Sequence, residues 1–504
     1  MRYLIGIDNG GTFSKAALFD ENGTQLSVGS MATETLTPKP GYTERNMDVL
    51  WKANASAIRQ VIEKSGINPK DIAGVSFSGH GKGLYLVGED NRPIYNGIIS
   101  TDSRAWAYEK KWAEDGTADA IFKKICMLPR YMQPSCLLAW MKDNEPDVYG
   151  KIRYVFSVND YVRFCMTGKA NADYTIASGS GFVNFQTASY DRTLAEAYGT
   201  PEIFDALPPM KYPADLCGTV TKEAAAETLL PEGTPVAAGM FDVDACGIAS
   251  GLSDDSKICM IAGTWSINEF IAKAPVLDNT GTLTSMFCIP GYYLTEQSSP
   301  TSAGNMEWFI RNLMSYEKKE ASEAGGSVYD QTNSWVADIE PQDCSVIFLP
   351  FLNGSNEDAL ARGTFVGLTS YHSKKHMLRA VYEGIVFSHV SHVKKLLMHH
   401  DVPASIQLSG GAANSDVWVQ IFADALQIPI DVVGEKELGA LGAAIAAGVS
   451  TGIYADYEEG IRRTVQITKT VYPRPEYKEI YEKKYETYRK VIDGLSSVWK
   501  YFEK

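Results

Sequence analysis

Apolar and polar residues alternate along the chain with two different periods. Short apolar runs at residues 3–7, 16–19 and 24–30 predict β-strands, and the polar sequence "DENG" at residues 20–23 predicts a hairpin turn between two of them. Residues 47–64 carry apolar side chains at helical spacing, which predicts an amphipathic helix. The alternation continues, with strands predicted at residues 72–77 and 83–87, a helix–strand mixture at 423–447, and helices at 134–140, 161–166, 188–197 and 477–502. Short strands that alternate with amphipathic helices indicate an α/β fold.

Length and composition narrow the class of protein. A chain of 504 residues exceeds what one hydrophobic core supports, roughly 250–300 residues, so two or more domains are expected. The net charge of −14 argues against nucleic acid or an anionic membrane as the main partner. The 8 cysteines form no Cys-x-x-Cys pair, which favours reduced thiols over disulfides or a zinc site. Because no apolar stretch approaches the ~18 residues of a membrane helix, we expect a cytoplasmic protein.

The sequence contains a weak internal repeat. "GTFSKAALF" begins at Gly11 and "GTWSINEFI" begins at Gly263, half a chain length later, and each follows an apolar run. Four matching residues can arise by chance, but both copies have the same order of strand, Gly-Thr turn and second strand. The repeat predicts two similar domains, residues 1–251 and 252–504, each presenting a β-hairpin to a shared cleft.

A turn made of glycine and threonine can bind phosphate, because it exposes backbone N–H groups and supplies a hydroxyl. Asp8 precedes the first turn, and its carboxylate would repel a phosphate unless a Mg²⁺ ion lay between them. The stretch therefore indicates either a Mg²⁺-nucleotide site or an ordinary hairpin in which Asp8 caps the turn. It matches neither a P-loop nor a dinucleotide-binding fingerprint.

Three later segments favour the nucleotide site. In "TPVAAGMFDVDACGIASG", Asp242 follows a strand and begins a helix of small residues, where the helix dipole favours an ionised carboxylate. "LSGGAANSDVW", residues 408–418, is a strand, a Gly-Gly turn and a helix start, which suits a close approach of the backbone to a nucleotide. "ELGALGAAIAAG", residues 437–448, is suited to packing against a flat ring or another helix. Taken singly, each segment is also explained by close packing.

Two longer motifs carry a family resemblance. Residues 363–384 are "GTFVGLTSYHSKKHMLRAVYEG", and residues 134–144 are "PSCLLAWMKDN". They resemble the second and first signatures of the FGGY family of carbohydrate kinases, although Leu137 stands where most members carry lysine. The similarity covers residues 1 to about 450 and leaves the C-terminal helix unassigned. It implies an α/β fold of two actin-like, ribonuclease-H-like ATPase domains around a central cleft.

The resemblance also implies roles for individual residues. The expected nucleotide-binding residues are Gly11, Thr12, Lys15, Gly263, Thr264, Gly410, Gly411, Ala412 and Asn414. Asp242 is the expected catalytic base, with Asp244 as the next candidate, and Asp8 and Asp242 are the expected ligands of Mg²⁺. The expected sugar-binding residues are His80, Lys82, Asp102 and Arg104, in "SGHGKGLYL" and "STDSRA". ATP and Mg²⁺ are therefore the implied cofactors.

The sugar-side segments resemble one branch of the family. Members that act on glycerol carry a tryptophan where Ser100 stands and an Arg-Glu pair where Gly81 and Lys82 stand, which puts glycerol in doubt. The segments "PGYTERNM", "GKGLYL", "STDSRA" and "GMFDV" together resemble the branch that acts on L-xylulose and 3-keto-L-gulonate. The implied reaction is phosphorylation of a terminal hydroxyl of a ketopentose such as L-xylulose. Alternative substrates are D-xylulose, ribulose, gluconate and erythritol. An alternative class of protein is an actin-like ATPase that switches shape. An inactive binding module is disfavoured because both Asp8 and Asp242 are present.

Four histidines lie close together near the end of a helical stretch: His389, His392, His399 and His400. They have no Asp, Glu or Cys at metal-ligand spacing other than Asp401, so we expect a solvated helix face rather than a metal site. The sequence leaves the oligomeric state open, a homodimer included.

Overall fold

The computed structural model describes residues 2–277, 282–434 and 437–502. Within these ranges the chain forms two large mixed β-sheets, one in each half, with helices packed on their faces. The α/β class predicted from the alternation of strands and helices is confirmed.

The first sheet holds the N-terminal hairpin. Its strands are β1 (Tyr3–Asn9), β2 (Phe13–Asp20), β3 (Gln25–Ala32), β4 (Ile72–Gly79), β5 (Leu216–Thr219), β6 (Pro235–Ala237) and β7 (Met240–Phe241). The order across the sheet is β5, β6, β4, β1, β2, β3, and β7 also pairs with β4. β1 is antiparallel to β2 and parallel to β4. Ile5 and Leu4 point into different buried clusters because helices cover both faces, which explains the nearly continuous apolar run of β1.

The second sheet repeats this arrangement. Its strands are β8 (Ile258–Ala262), β9 (Ser266–Ala272), β10 (Leu283–Met286), β11 (Tyr293–Ser299), β12 (Ile406–Ser409), β13 (Ile430–Val433) and β14 (Ile467–Val471). They lie in the order β10, β11, β9, β8, β12, β13, β14. β8 is antiparallel to β9 and parallel to β12, as β1 is to β2 and β4. Both strand–turn–strand hairpins of the sequence repeat are therefore present.

The helices and minor strands complete the fold. The α-helices are α1 (Met47–Ser65), α2 (Trp106–Glu114), α3 (Thr117–Ile125), α4 (Pro134–Asn144), α5 (Pro146–Tyr149), α6 (Val158–Thr167), α7 (Tyr174–Ser178), α8 (Arg192–Ala197), α9 (Lys222–Thr228), α10 (Asp242–Ala249), α11 (Gly304–Leu313), α12 (Ser315–Glu323), α13 (Val328–Ala337), α14 (Lys374–Leu396), α15 (Asp416–Leu426), α16 (Leu438–Ser450), α17 (Tyr457–Thr464) and α18 (Lys478–Trp499). Short strands pair outside the sheets: Glu44–Arg45 with Gly97–Ile98, Tyr85–Val87 with Tyr154–Phe156, Ala172–Asp173 with Met210–Lys211, Val183–Asn184 with Ser189–Tyr190, and Ile347–Leu349 with Thr364–Val366.

The two halves meet where α16 packs on α10 and β1. A Cβ on Gly442 would lie 2.1 Å from the carbonyl oxygen of Ala245 in α10. A Cβ on Gly6 in β1 would lie 1.7 Å from the carbonyl oxygen of Ala440 in α16. Only glycine permits such backbone contacts, so the small residues of "ELGALGAAIAAG" serve helix–helix and helix–sheet packing.

The C-terminal helix, which the sequence leaves without a role, belongs to the core of the second half. Tyr488 and Trp499 of α18 are buried with the apolar residues of α14. The Tyr481 hydroxyl accepts a hydrogen bond from Arg379 Nη2 at 3.0 Å, and Lys484 pairs with Glu383. α18 therefore packs against the second signature segment. We find no helix in the described ranges whose length and apolar character would suffice to span a bilayer.

Two local predictions are wrong. The helix predicted at residues 188–197 begins only at Arg192, because Ala188 has a left-handed φ of 52° and Ser189–Tyr190 form a short strand. The predicted solvated histidine face is also wrong for His389 and His392, which are 0% and 4% exposed within α14. α14 is enclosed on nearly all sides, and polar side chains of other elements satisfy the two imidazoles.

Candidate active site

The Gly-Thr and Gly-Gly turns share an unusual feature: three of their glycines are not required by the fold. Gly11 lies between β1 and β2, Gly263 between β8 and β9, and Gly411 in the turn after β12. None has a left-handed φ, and a Cβ on any of them would meet no atom within 4 Å. The space beside these backbones is open to a ligand, so the residues predicted to bind nucleotide fit a phosphate cradle.

Arg45 supports the first turn from inside the protein. Its guanidinium donates from Nη2 to the carbonyl oxygen of Gly11 at 2.5 Å and from Nη1 to that of Gly10 at 3.4 Å, and the side chain is almost fully buried. Because the N–H and C=O of a trans peptide point in opposite directions, the N–H groups of Gly11 and Thr12 face away from Arg45. Arg45 lies in the segment "PGYTERNM", which by itself does not indicate a contact with this turn.

The second turn is held in the same way by the loop before α11. The carbonyl oxygen of Gly263 accepts the Ala303 N–H at 2.9 Å, which turns the Thr264 N–H away from that loop. Gly410 has a left-handed φ of 86°, and a Cβ there would lie 2.8 Å from the carbonyl carbon of Ala262. The structure therefore brings the Gly-Gly turn, which continues into the 3₁₀ turn Gly411–Asn414 with its buried Ala412, against the second hairpin.

Asp8 lies near the end of β1, where the two halves meet. Its Oδ1 accepts a hydrogen bond from Ser78 Oγ at 3.0 Å, and a Cβ on Gly439 at the start of α16 would lie 2.8 Å from Asp8 Cγ. Lys15 Nζ is 2.9 Å from Glu437 Oε2 in a half-buried ion pair that joins the halves. Burial raises the pKa of Asp8, against the opposing effects of Ser78 and Lys15.

Asp242 is the first residue of α10. Burial, followed by the charges of Asp8 and Glu296, raises the pKa of Asp242 to about 8. The hydrogen bond from the Val243 N–H at the helix start lowers the pKa of Asp242, as expected, and so does the charge of Lys82, but burial and the two carboxylates outweigh both. Two carboxylates, one of which raises the pKa of the other, are suited to binding a divalent cation, because the cation would stabilise both negative charges.

His80 and Lys82 lie in the loop after β4. His80 Nε2 is 3.0 Å from the Tyr85 hydroxyl, and burial, with the charge of Arg45, lowers the pKa of His80 to about 4, so the ring is neutral at pH 7. Lys82 has a left-handed φ of 66°, a strained conformation for a residue with a side chain. It lines a cavity whose other walls include Gly81, Thr175, Phe241, Ser285 and Glu296. Both halves of the chain thus contribute to this cavity.

Asp102 and Arg104 are engaged chiefly with each other. Asp102 Oδ1 accepts from the backbone N–H and Nε of Arg104, both at 2.9 Å, and Oδ2 accepts from Nη2 at 2.8 Å and from the Thr43 N–H at 2.6 Å. Arg104 Nη2 also lies 2.7 Å from Glu44 Oε1, and its guanidinium stacks 4.1 Å from the Tyr42 ring centre. Such a buried, bidentate pair braces its loop. Direct contact of either residue with a sugar stays a prediction.

Comparison with known proteins shows the family. Residues 3–248 match the N-terminal domain of the FGGY family of carbohydrate kinases, and residues 258–451 match its C-terminal domain. The chain belongs to this family. The L-xylulose/3-keto-L-gulonate kinase of Escherichia coli (strain K12) is 33% identical over 496 residues, which cover 98% of this chain and 97% of the relative. Among solved structures, the ligand-bound xylulose kinase from Lactobacillus acidophilus has a TM-score of 0.90 at 25% identity, and the gluconate kinase from the same organism has 0.89 at 26%, each with all of both chains covered.

This FGGY kinase is a sugar phosphotransferase with the two-domain α/β fold of its family, which confirms the resemblance, the fold and the enzyme class inferred from the sequence. Its cavity includes residues that the sequence did not reveal. Glu296 reaches it from β11, and Thr175 Oγ1 accepts the Phe241 N–H at 2.8 Å, directly before Asp242. These residues are far apart along the chain and share no motif, so only the fold identifies them as neighbours.

Proposed function

We propose that this FGGY kinase transfers the γ-phosphoryl group of ATP to a terminal hydroxyl of a ketopentose, L-xylulose or a close relative. The main support for this proposal is the cavity between the halves. It is lined by Lys82 and Glu296, whose charges both affect the pKa of Asp242. A relative that is 33% identical over nearly the whole chain is named for L-xylulose and 3-keto-L-gulonate, which supports this choice of sugar.

The proposed phosphate site comprises both hairpins. Gly11, Thr12 and Lys15 contact the phosphates from the first half, and Gly263 and Thr264 from the second. The open space beside Gly11 and Gly263 and the outward N–H groups support this role. Gly410, Gly411, Ala412 and Asn414 form the adenosine side. Lys15 would exchange its partner Glu437 for a phosphate oxygen when ATP binds.

Asp242 is the proposed general base. It accepts the proton of the attacking sugar hydroxyl and holds that oxygen in line with the phosphoryl group. Asp8 and Asp242 would hold Mg²⁺, largely through water, and the bound ion supplies positive charge against the phosphates. That same charge opposes the effects of burial and of Asp8 on the pKa of Asp242, so the base is ionised in the loaded enzyme.

The shape of the sugar pocket supports a sugar over glycerol. A Cβ on Gly81 would lie 2.8 Å from Phe241 Cε2, so the Phe241 ring fills the place that the arginine of glycerol-type members would need. Ser100 is small where those members carry tryptophan, which leaves room for a longer chain. His80 and Lys82 supply polar contacts, while Asp102 and Arg104 shape the loop. A pocket built on such contacts rejects analogues that lack the matching hydroxyl.

A sugar acid is the second candidate. Lys82 lines the cavity, and an ammonium group can pair with a carboxylate such as 3-keto-L-gulonate or gluconate would present. D-xylulose, ribulose and erythritol lack that group and would rely on hydroxyl contacts alone.

Initial rates with coupled ADP detection test this proposal. We would compare L-xylulose, D-xylulose, L-ribulose, 3-keto-L-gulonate, gluconate, erythritol and glycerol at equal concentration. The expected result is the highest kcat/KM for L-xylulose or 3-keto-L-gulonate and negligible ADP without sugar. Glycerol or gluconate reacting faster than every ketose would contradict the pocket argument. ADP production that is independent of any sugar would favour an actin-like switching ATPase.

A further inference from the structure

A buried histidine pair lies behind the second phosphate hairpin. His389 and His392 extend from α14 toward Asn268 of β9, and all three side chains are at most 4% exposed. Asn268 Oδ1 is 3.0 Å from His389 Nδ1, and Asn268 Nδ2 is 3.0 Å from His392 Nδ1. A single carboxamide thus bridges the two imidazoles.

The bridge fixes the tautomer of each ring. A carboxamide oxygen only accepts, so His389 carries its proton on Nδ1, and its Nε2 accepts from Ser302 Oγ at 3.2 Å. A carboxamide nitrogen only donates, so His392 carries its proton on Nε2 and donates it to Ser299 Oγ at 3.3 Å. Burial lowers the pKa of His392 to about 3 and that of His389 well below its ordinary value, so both rings are neutral.

The same network reaches both chain segments that form the turn. Ser302 directly precedes Ala303, whose N–H donates to the carbonyl oxygen of Gly263 at 2.9 Å. On the other side, Asn268 Nδ2 also donates at 3.2 Å to Ser266 Oγ, and Ser266 begins β9 two residues after Thr264. A backbone cradle binds phosphate well only when its N–H groups are held in place before the ligand arrives.

We propose that His389 and His392 are positioning residues for the Gly263–Thr264 turn, acting through Asn268 and Ser302. The inference rests on the proposed phosphate-binding role of that turn. The two imidazoles do not touch substrate. They orient the carboxamide and the Ser302 hydroxyl, and these fix the carbonyl of Gly263 so that the Thr264 N–H points outward.

Ser302→Ala tests the link most directly, because it removes one hydroxyl and little volume. A hydrogen bond of this kind contributes about 0.5–1.5 kcal/mol, so the KM for ATP and the Kd for Mg²⁺-ADP should rise about 3- to 10-fold while the KM for the sugar stays constant. His389→Asn keeps a donor for Asn268 but loses the acceptor for Ser302, and should have the same effect. The double variant should be no worse than either single variant if the two act as one unit.

Ser391→Ala is the matched control. Ser391 is also buried in α14, but its hydroxyl contacts the carbonyl oxygen of Phe387 and the hydroxyl of Tyr485 in α18, away from the hairpin. Its loss should leave the KM for ATP unchanged. Nitrogen-15 NMR, with the signals assigned by the loss of one ring in His389→Asn and in His392→Asn, should show His389 protonated on Nδ1 and His392 on Nε2, both neutral from pH 5 to 8.

Three results would overturn the proposal. The first is an unchanged KM for ATP in Ser302→Ala. The second is an equal rise of the KM for ATP in Ser302→Ala and Ser391→Ala. The third is the same tautomer for the imidazoles of His389 and His392. Gly263→Ala separates this failure from that of the underlying site. If Gly263→Ala weakens ATP binding and Ser302→Ala does not, only the positioning role fails. If Gly263→Ala binds ATP normally, the phosphate role of the turn fails and the positioning proposal with it.

Discussion

Replacing Gly263 by alanine probes the phosphate role of the hairpins without disturbing the fold. Gly263 does not use a left-handed backbone, and the added Cβ would meet no protein atom within 4 Å. Such a substitution at a compatible position lowers the entropy of the unfolded chain and stabilises a protein by about 0.4–1 kcal/mol. We therefore expect the Tm of Gly263→Ala to stay constant or to rise slightly.

The same methyl group would intrude where we place a phosphate oxygen, beside the Thr264 N–H. A hydrogen bond to a charged group contributes about 1.5–3 kcal/mol, and each 1.4 kcal/mol corresponds to a factor of about ten in affinity. Displacing the phosphate from one such donor should raise the KM for ATP by about 10- to 150-fold. The KM for the sugar should change far less, because we propose that the turn contacts the nucleotide and not the sugar.

Steady-state kinetics and thermal unfolding of the same preparations provide the assay. Gly494→Ala in the exposed part of α18 adds a methyl group that also meets no atom within 4 Å, and it should leave both KM values unchanged. Gly410→Ala combines a φ of 86° with a contact of 2.8 Å to the carbonyl carbon of Ala262, and it should lower the Tm. A stable Gly263→Ala enzyme with a normal KM for ATP would refute the reasoning.

Three further predictions concern the proposed catalytic carboxylate and the cleft. Asp242→Asn should lose about 10²- to 10⁴-fold in kcat and still bind ATP and sugar in calorimetric titrations; near-normal turnover would move the base to Asp244. Burial and Asp8 raise the pKa of Asp242 to about 8, so in Mg²⁺-free buffer its protonation stabilises the fold at low pH, and this stabilisation is lost as the pH rises through about 8. The Tm of the wild type should accordingly fall relative to that of Asp242→Asn between pH 5 and pH 9, and parallel curves would contradict the assigned pKa. The two hairpins belong to different halves, so both can contact the same phosphates only if the halves approach each other. An ATP analogue plus sugar should therefore reduce the radius of gyration in small-angle X-ray scattering, and an unchanged radius would argue against closure of the cleft.

The sequence predicted those features that depend on local order. An apolar run, a Gly-Thr pair and a second apolar run suffice to form a hairpin, and both copies, at Gly11 and Gly263, fold as expected. The small residues of α16 likewise predicted close packing, although its partners, α10 and β1, became evident only in the fold.

Features that depend on tertiary neighbours were missed or mispredicted. Arg45 lies between the polar residues Glu44 and Asn46 in the sequence, so its burial beneath the first turn follows only from the pairing of distant segments. His389 and His392 have the spacing of a polar face, but inside the core Asn268 and Ser302 satisfy His389, and Asn268 and Ser299 satisfy His392. The raised pKa of Asp242 was missed because the helix start, although its effect has the expected sign, acts less strongly than burial and the charge of Asp8, a residue from the other end of the first half.

Competition between sugars for limiting enzyme would show which sugar this kinase phosphorylates. Equal, low concentrations of L-xylulose, 3-keto-L-gulonate, D-xylulose, gluconate and glycerol would be incubated with γ-labelled ATP, and the labelled products separated and located by NMR. Because product ratios in a mixture report kcat/KM directly, no separate rate constants are needed. We expect the label mainly on the terminal oxygen of L-xylulose or 3-keto-L-gulonate, and with Asp242→Asn we expect the rate of labelling of these products to fall by about 10²- to 10⁴-fold. Label found mainly on gluconate or glycerol, or released as inorganic phosphate whether or not sugar is present, would contradict it.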